Sequence, residues 1–339
     1  MAKENTQAKT NPFPNSDSNK RYYAYEYYLR KTFGGRVAKL ALDGGFTCPN
    51  MDGRCGTGGC IYCSGRGSGD FTAPATLPIA EQMAKQKGAL SGKWRFSRVI
   101  PYFQAHTGTY APLETLRELY EQALLEPDAV GLNIATRADC LADDVVCYLA
   151  ELSERTCLTV ELGLQSVHDQ TAEAINRGHD FAAFLRGYQR LREAAPRARI
   201  GVHLIFGLPD ETEEMMLETV RQVAALRPDE VKIHLLYVLL NTPMADLYLN
   251  GAYQPMELDD YVRVVAKALE LLPPDTVIGR LTGDAPAGQL LAPLWSRYKI
   301  DVLNRIDTYL FEHNTWQGRL YTAWGVEPIS PAARENLLR

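Results

Sequence analysis

With 339 residues, 46% hydrophobic and 23% charged, the chain has the make-up of an ordinary globular protein with ample material for a core, as one large barrel-type domain or two smaller ones. A formal net charge of −5 argues against nucleic-acid binding over the whole surface and leaves room for a local basic face. No apolar run approaches the ~18 residues that a membrane span requires, so a cytoplasmic protein with neither a membrane nor a DNA partner is expected.

Residues 1–20 are rich in Asn, Lys, Thr, Ser and Pro and nearly free of apolar side chains, so burial cannot offset their ordering entropy and a disordered lead-in is expected. They carry neither an apolar signal core nor the Arg/Ser pattern of a transit peptide. From Lys20 to Lys39, six basic residues oppose only Glu26, and Tyr22, Tyr23, Tyr25, Tyr27 and Tyr28 interleave with them. Rings among cations suit single-stranded RNA. They also suit a helix whose tyrosines cover the bottom or side of a barrel, which is the favoured reading.

Beyond this segment, short apolar runs alternate with segments of helical period. Strands are expected at Val37–Leu42, Arg98–Phe103, Ala129–Ala135, Leu158–Leu164, Arg199–Phe206 and Val231–Leu239. Helices are expected at Ile79–Leu90, Pro112–Leu125, Asp143–Ser153, Phe181–Ala194, Thr212–Leu226 and Leu258–Leu272. This rhythm predicts right-handed βαβ units, a parallel sheet and an α/β fold, with chemistry at the carboxyl ends of the strands. Leu294 to Phe311 is a further helical segment.

Between the first strand and the first of these helices lies Cys48-Pro-Asn-Met-Asp-Gly-Arg-Cys55-Gly-Thr-Gly-Gly-Cys60-Ile-Tyr-Cys63, which holds four of the seven cysteines among glycines. Thiols at this density bind Zn²⁺ or iron–sulfur iron. The odd cysteine total and the lack of a signal peptide count against a disulfide. A Cys₄ zinc site usually pairs two separate short knuckles; Cys60-x-x-Cys63 is one, but the remaining pair, Cys48 and Cys55, is separated by six residues. Cys140, Cys147 and Cys157 fall at or beside element interiors, where free cysteine is usually a small buried hydrophobe. Gly65-x-Gly67-x-Gly69 lacks a preceding strand and the spacing of a nucleotide fingerprint, which leaves loop flexibility as its reading.

The Cys-x-aromatic-Cys ending resembles that of radical S-adenosylmethionine (SAM) enzymes. The whole loop, Cys48-Pro-Asn-x-Asp-Gly followed by Gly-Gly-Cys60-x-Tyr-Cys63, resembles the branch of the elongator catalytic subunit. That resemblance implies a partial (β/α)₆ barrel, with Cys48, Cys60 and Cys63 holding a [4Fe–4S] cluster whose fourth iron binds SAM. Cys55 has no counterpart and reads as a spare loop thiol.

The strand ends extend the resemblance. Gln104 in Tyr102-Phe-Gln-Ala occupies the place of a stretch whose backbone meets the SAM amino group. Thr136 and Arg137 end the third strand and would face the pocket. Val160-Glu-Leu-Gly-Leu-Gln-Ser is similar to the Glu-x-Gly-x-Gln-Ser run of the elongator enzyme and oxygen-independent coproporphyrinogen oxidase, which makes Glu161 and Gln165 a polar lining at a strand tip. An Arg-Gly-His twelve residues after Gln165 resembles the one that follows the same strand in those enzymes, which implies that Arg177 would bind the SAM carboxylate. In Val202-His-Leu-Ile-Phe-Gly-Leu-Pro, His203 replaces an aspartate that contacts the ribose, and Gly207 shapes a turn beside adenine.

The similarity continues through Arg280-Leu-Thr-Gly-Asp, Trp295 and Trp316-Gln-Gly. The expected organisation is therefore a core over 21–275 and an extension over 276–339 that caps the barrel. Arg280, Arg297 and Lys299 are candidate partners of a substrate carboxylate, or solvated surface charges. The resemblance implies reductive cleavage of SAM, an electron donor such as flavodoxin or ferredoxin, and hydrogen abstraction from a substrate. That substrate is expected to be tRNA carrying wobble 5-carboxymethylaminomethyl-uridine, which would become 5-aminomethyl-uridine; a peptide or a small metabolite is the alternative. A zinc-stabilised nucleic-acid-binding module and a non-catalytic iron–sulfur sensor are the readings from other classes.

Overall fold

The computed structural model describes residues 11–286 and 288–321. Its strands are β1 (Val37–Leu42), β2 (Arg98–Phe103), β3 (Gly131–Thr136), β4 (Cys157–Gln165), β5 (Arg199–Phe206), β6 (Glu230–Leu235), β7 (Val238–Leu239), β8 (Val277–Arg280) and β9 (Leu290–Ala292). Its helices are α1 (Tyr25–Phe33), α2 (Ile79–Ser91), α3 (Leu113–Leu124), α4 (Asp143–Arg155), α5 (Asp169–Ala174), α6 (Phe181–Ala194), α7 (Glu213–Leu226), α8 (Pro243–Leu249), α9 (Leu258–Leu271) and α10 (Lys299–Glu312).

The main sheet runs β1-β2-β3-β4-β5-β6-β8, every neighbour parallel, and curls into a half-barrel with helices outside. Period-two alternation decides which side chains go where. Leu40, Phe103, Ile134, Val160, Val202 and Ile233 point outward and are buried in the main core with the helices. The alternate positions Lys39, Tyr102, Glu161, His203 and Lys232 line the inside. Helix starts are set locally: Asp180 and Thr212 accept from the amides of Ala183 (2.7 Å) and Met215 (3.3 Å) at the first turns of α6 and α7.

Several expectations need correction. The sheet has a seventh strand in β8, so a boundary at 275/276 falls just before an integral strand of the core. The run Val231–Leu239 breaks after Leu235, and β7 pairs antiparallel with β9 in a separate ribbon. The lead-in is anchored from residue 11 onward: Phe13 is 3% exposed, and the Asn11 amide donates to the carbonyls of Ser18 (3.0 Å) and Lys20 (2.8 Å). Residues 1–10 lie outside the described residues, as do 322–339 of the expected extension. Cys147 is exposed, and Cys140 and Cys157 are half-buried.

The tyrosine-rich segment packs on the barrel. Helix α1 lies against both edge strands, β1 and β8, and Leu29, Val37 and Ile100 form a small core at the amino ends of the strands. Its cations are used internally: Lys20 pairs with Asp307, Arg21 donates to the carbonyl of Leu310 (3.4 Å), and Lys39 turns into the barrel. Gln317 fixes the same end, accepting from Tyr23 N (2.9 Å) and donating to the carbonyls of Pro273 (2.6 Å) and Thr276 (2.8 Å). Helix α10 packs along α9 in the outer layer, so only the preceding stretch, up to Lys299, rims the open end of the barrel.

Candidate functional site

The carboxyl ends of the strands open into one chamber of about 1220 Å³. Its walls include Cys48, Cys60, Cys63, Gln104, Thr136, Glu161, Gln165, Arg177 and His203. Gly207 is not among them. Its left-handed turn (φ 81°) faces Met256, and its carbonyl accepts from the Tyr253 hydroxyl at 2.7 Å, so it shapes the outer layer and not the chamber.

The cysteine loop is sewn to the end of β2 on one side and to the turn after α5 on the other. On one side His106 N donates to Gly67 O (2.7 Å) and the Gln104 amide to Ser68 O (2.8 Å). On the other, Ile61 N donates to Ile175 O (3.1 Å), and the Asn176 side chain donates to Thr57 O (3.0 Å) and Gly59 O (2.7 Å). Gly178, with φ 76°, is required where it stands, because a Cβ there would lie 2.6 Å from Asn50 Oδ1.

Cys48, Cys60 and Cys63 share the chamber, whereas Cys55 is exposed and opens into a separate cavity of about 490 Å³ beside Tyr110, Asp139 and Cys140. Burial pushes the Cys63 thiol up to about 12, and the adjacent Cys60 and Cys48 sulfurs add to the rise. Cys55 stands apart from the other three and faces the other cavity, which does not fit a Cys₄ zinc centre. Three neighbouring thiols in one wall, with Cys55 turned away, fit a cluster in which each thiolate meets a different iron.

At the end of β4, Gln165 adopts a left-handed conformation (φ 78°), strain that clusters at functional sites. Gly163 makes room beside it: a Cβ would come within 2.9 Å of Gln165 Nε2 and 3.1 Å of Arg177 Nη2. The Arg177 guanidinium does not present an open fork to the chamber. Nη2 donates to the Gly163 carbonyl, Nη1 lies 3.9 Å from Cys60 Sγ, and Nε is buried without a partner. Arg137 makes a bidentate pair with Asp139 (2.9 and 2.8 Å) and donates to Arg177 O (2.9 Å), so it supports the wall. The Thr136 hydroxyl is 2.6 Å from that of Thr109, which commits it to the loop behind.

Glu161 is not at a strand tip. It sits mid-strand, fully enclosed, on the chamber floor, where side chains from five other strands converge on it. Oε1 accepts from Lys39 (2.8 Å) and Asn133 (2.9 Å); Oε2 accepts from Tyr102 (2.6 Å) and Lys232, and lies 3.0 Å from His203 Nε2. Burial alone would raise its carboxyl, but Lys232, Lys39 and His203 outweigh that and hold it well below the carboxylate range. Both oxygens are therefore occupied, and Glu161, expected as polar lining at a strand tip and a candidate cofactor contact, builds the floor instead. The His203 imidazole is likewise engaged by Glu161 rather than left open for a ribose.

Sequence reasoning missed Tyr102, Asn133, Lys232 and His234 as floor residues. The signal was present: Lys232 and His234 alternate with Val231, Ile233 and Leu235 along β6. Burial pulls Lys232 down to about 8, with Glu161 opposing the fall. Glu230 beneath it is raised by burial; neither of its oxygens has a hydrogen-bond partner, and Oε1 makes only a long ion pair of 3.9 Å with Lys232.

Burial lowers His203 and His179 to about 4, with Lys232 and Arg177 respectively adding to the fall. An unfolded chain binds these protons near the ordinary histidine value of ~6.5, so the stabilisation is complete above that pH and is lost as pH drops from there towards about 4. Urea midpoints should therefore fall between pH 7.5 and 5. Equal midpoints would show that neither imidazole is held neutral by the fold.

The same chamber also carries a cationic wall. Arg280 donates to His234 Nε2 (3.1 Å) and pairs with Asp284 (3.3 Å), Lys299 pairs with the same carboxylate (2.8 Å), and Arg297 lies beside them. Eight Lys and Arg side chains line the chamber against four Asp and Glu, although the whole chain is acidic.

Residues 52–223 match the Radical SAM superfamily, and residues 228–312 match the Radical_SAM C-terminal domain. Uncharacterized protein YtqA of Bacillus subtilis is 47% identical over 313 residues, covering 92% of this chain and 97% of that protein. Protein YhcC of Escherichia coli is 37% identical over 297 residues, 87% of this chain and 94% of that one. Human Elongator complex protein 3 is 29% identical over 161 residues, 46% of this chain and 28% of that protein. Among solved structures, the archaeal Methanocaldococcus infernus Elp3 superposes with a TM-score of 0.62 at 18% identity, over 87% of this chain and 69% of that one, a likeness of fold. The chain belongs to the radical SAM superfamily, in a branch like that of the elongator proteins, and its cofactors are those of the family, a [4Fe–4S] cluster and SAM.

Proposed function

We propose that this protein is a radical SAM enzyme acting on an anionic substrate, tRNA carrying wobble 5-carboxymethylaminomethyl-uridine. The observation that carries the reading is the cationic group of Arg280, Arg297 and Lys299, which lines the same chamber as the three cysteines. When bound, the cluster and SAM supply a 5′-deoxyadenosyl radical, and everything else falls to the chain. Cys48, Cys60 and Cys63 hold three irons of the cluster, while Gln104 and Gln165 stand at the strand ends beside them. Arg280, oriented by His234 and Asp284, receives the substrate carboxylate. Leu236, Leu239 and Leu290 give the wall between an apolar surface that excludes water.

Hydrogen abstraction from the glycine-like methylene, followed by loss of one electron to an oxidised iron–sulfur or flavin electron carrier and of the nitrogen's proton to water, gives an imine. Water splits it into 5-aminomethyl-uridine and glyoxylate. Since Lys20, Arg21 and Lys39 are spent on packing, contacts to the RNA backbone fall to the mouth of the chamber. Nucleoside mass spectrometry of tRNA from cells with and without the gene, in a background lacking any competing pathway, should show the carboxymethylaminomethyl nucleoside accumulating without it. An unchanged wobble-uridine profile would leave the alternative, a peptide or a small anionic metabolite.

A further inference from the structure

The turn Asn176-Arg177-Gly178 does more than hold the cysteine loop: it brings two N–H donors onto one sulfur. Arg177 Nη1 lies 3.9 Å from Cys60 Sγ, and Asn50 Nδ2 lies 3.8 Å from the same atom, both within reach of an N–H···S bond. Neither donor is free to swing away. Asn50 is completely buried, its Nδ2 also donates to Asn176 O, and its Oδ1 is walled in where a Cβ on Gly56 or Gly178 would come within 2.3 or 2.6 Å. Arg177 is 5% exposed, with Nη2 anchored on the Gly163 carbonyl. Left-handed backbone at Asn176 (φ 52°) and Gly178 (φ 76°) makes the convergence possible.

We propose that Asn50 and Arg177 act as positioning residues for the cluster through Cys60, raising its reduction potential by hydrogen bonding and by the adjacent positive charge. Donors to a ligand sulfur draw electron density from it and favour the reduced cluster, which carries one more negative charge. A guanidinium in a buried wall adds to this, because little solvent screens it. The assignment moves Arg177 from the SAM carboxylate to the cluster. It rests on the reading of Cys60 as a ligand.

The test is an anaerobic redox titration of reconstituted protein without SAM, followed by the electron paramagnetic resonance signal of the reduced cluster. Iron and sulfide content are measured first, and a wild-type chain that takes up neither would overturn the ligand reading, and with it the inference. Given a cluster, N50A and R177Q should each shift the midpoint to more negative potential. N176A removes bonds to the Thr57 and Gly59 carbonyls in the same turn but no donor to sulfur, and should leave the midpoint in place. Unchanged midpoints in both donor variants, or an equal shift in N176A, would overturn the proposal. If R177Q takes up no iron, R177K takes its place: it keeps the cation and loses the fork, and must still shift the midpoint negative, an unshifted value counting against the proposal.

Discussion

Replacing Cys48, Cys60 or Cys63 with alanine is expected to abolish the reconstituted [4Fe–4S] signal, while Cys55→Ala retains most of it. The three share one chamber wall, and Cys55 looks into a different cavity. An iron of the cluster that loses its thiolate has no substitute ligand in that wall, since no other cysteine lines the chamber among the described residues. Iron and sulfide analysis with visible absorption reads the outcome. Loss of the cluster in Cys55→Ala together with its survival in Cys48→Ala would reassign the triad.

Glu161→Gln should cost about 3–5 kcal/mol of stability, the range for removing one partner from a buried ion pair. Two enclosed lysines, Lys39 and Lys232, would lose the carboxylate on which both converge. Against a total of ~5–15 kcal/mol, that is a large fraction of what keeps a domain folded. Glu230→Gln is the matched control. It is equally buried and on the neighbouring inner positions, but its oxygens have no hydrogen-bond partners and only a long ion pair of 3.9 Å with Lys232, so the amide should cost much less. Equal losses in urea unfolding of the two variants would mean that Glu161 is not the hub.

Much of this arrangement was legible in the sequence because period-two alternation and thiol spacing are local. Strands β1, β2 and β5 fall where apolar runs begin and end, and the three cysteines singled out by the loop motif are those that share the chamber. Strand β8 was not legible: four residues containing a glycine carry no periodic signal, and only pairing with β6 makes them a strand. Alternation also gives the face of a residue but not its depth. Glu161 was placed correctly on the inner face, yet it lies four residues before the end of β4, about 13 Å down the strand at ~3.3 Å per residue.

Partners were the least visible. That Lys39 and Lys232 would meet on Glu161, 122 and 71 residues away, or that Arg177 would spend its fork on Gly163 and on Cys60, 117 residues away, depends on how the strands and the loops at their ends curl toward each other. The tyrosine-rich segment shows the same limit. Its composition suits RNA as well as the barrel packing that is the favoured reading, and the closing contacts of Leu29, Val37 and Ile100 are what bear that packing out.

The most direct measurement is the fate of SAM itself. Reconstituted anaerobically and given SAM with a strong one-electron reductant, the protein should release methionine and 5′-deoxyadenosine, and Cys60→Ala should release neither above the reductant-only background. A fully loaded cluster that reduces normally but leaves SAM intact, with and without tRNA, would contradict the account and leave a non-catalytic iron–sulfur protein in its place.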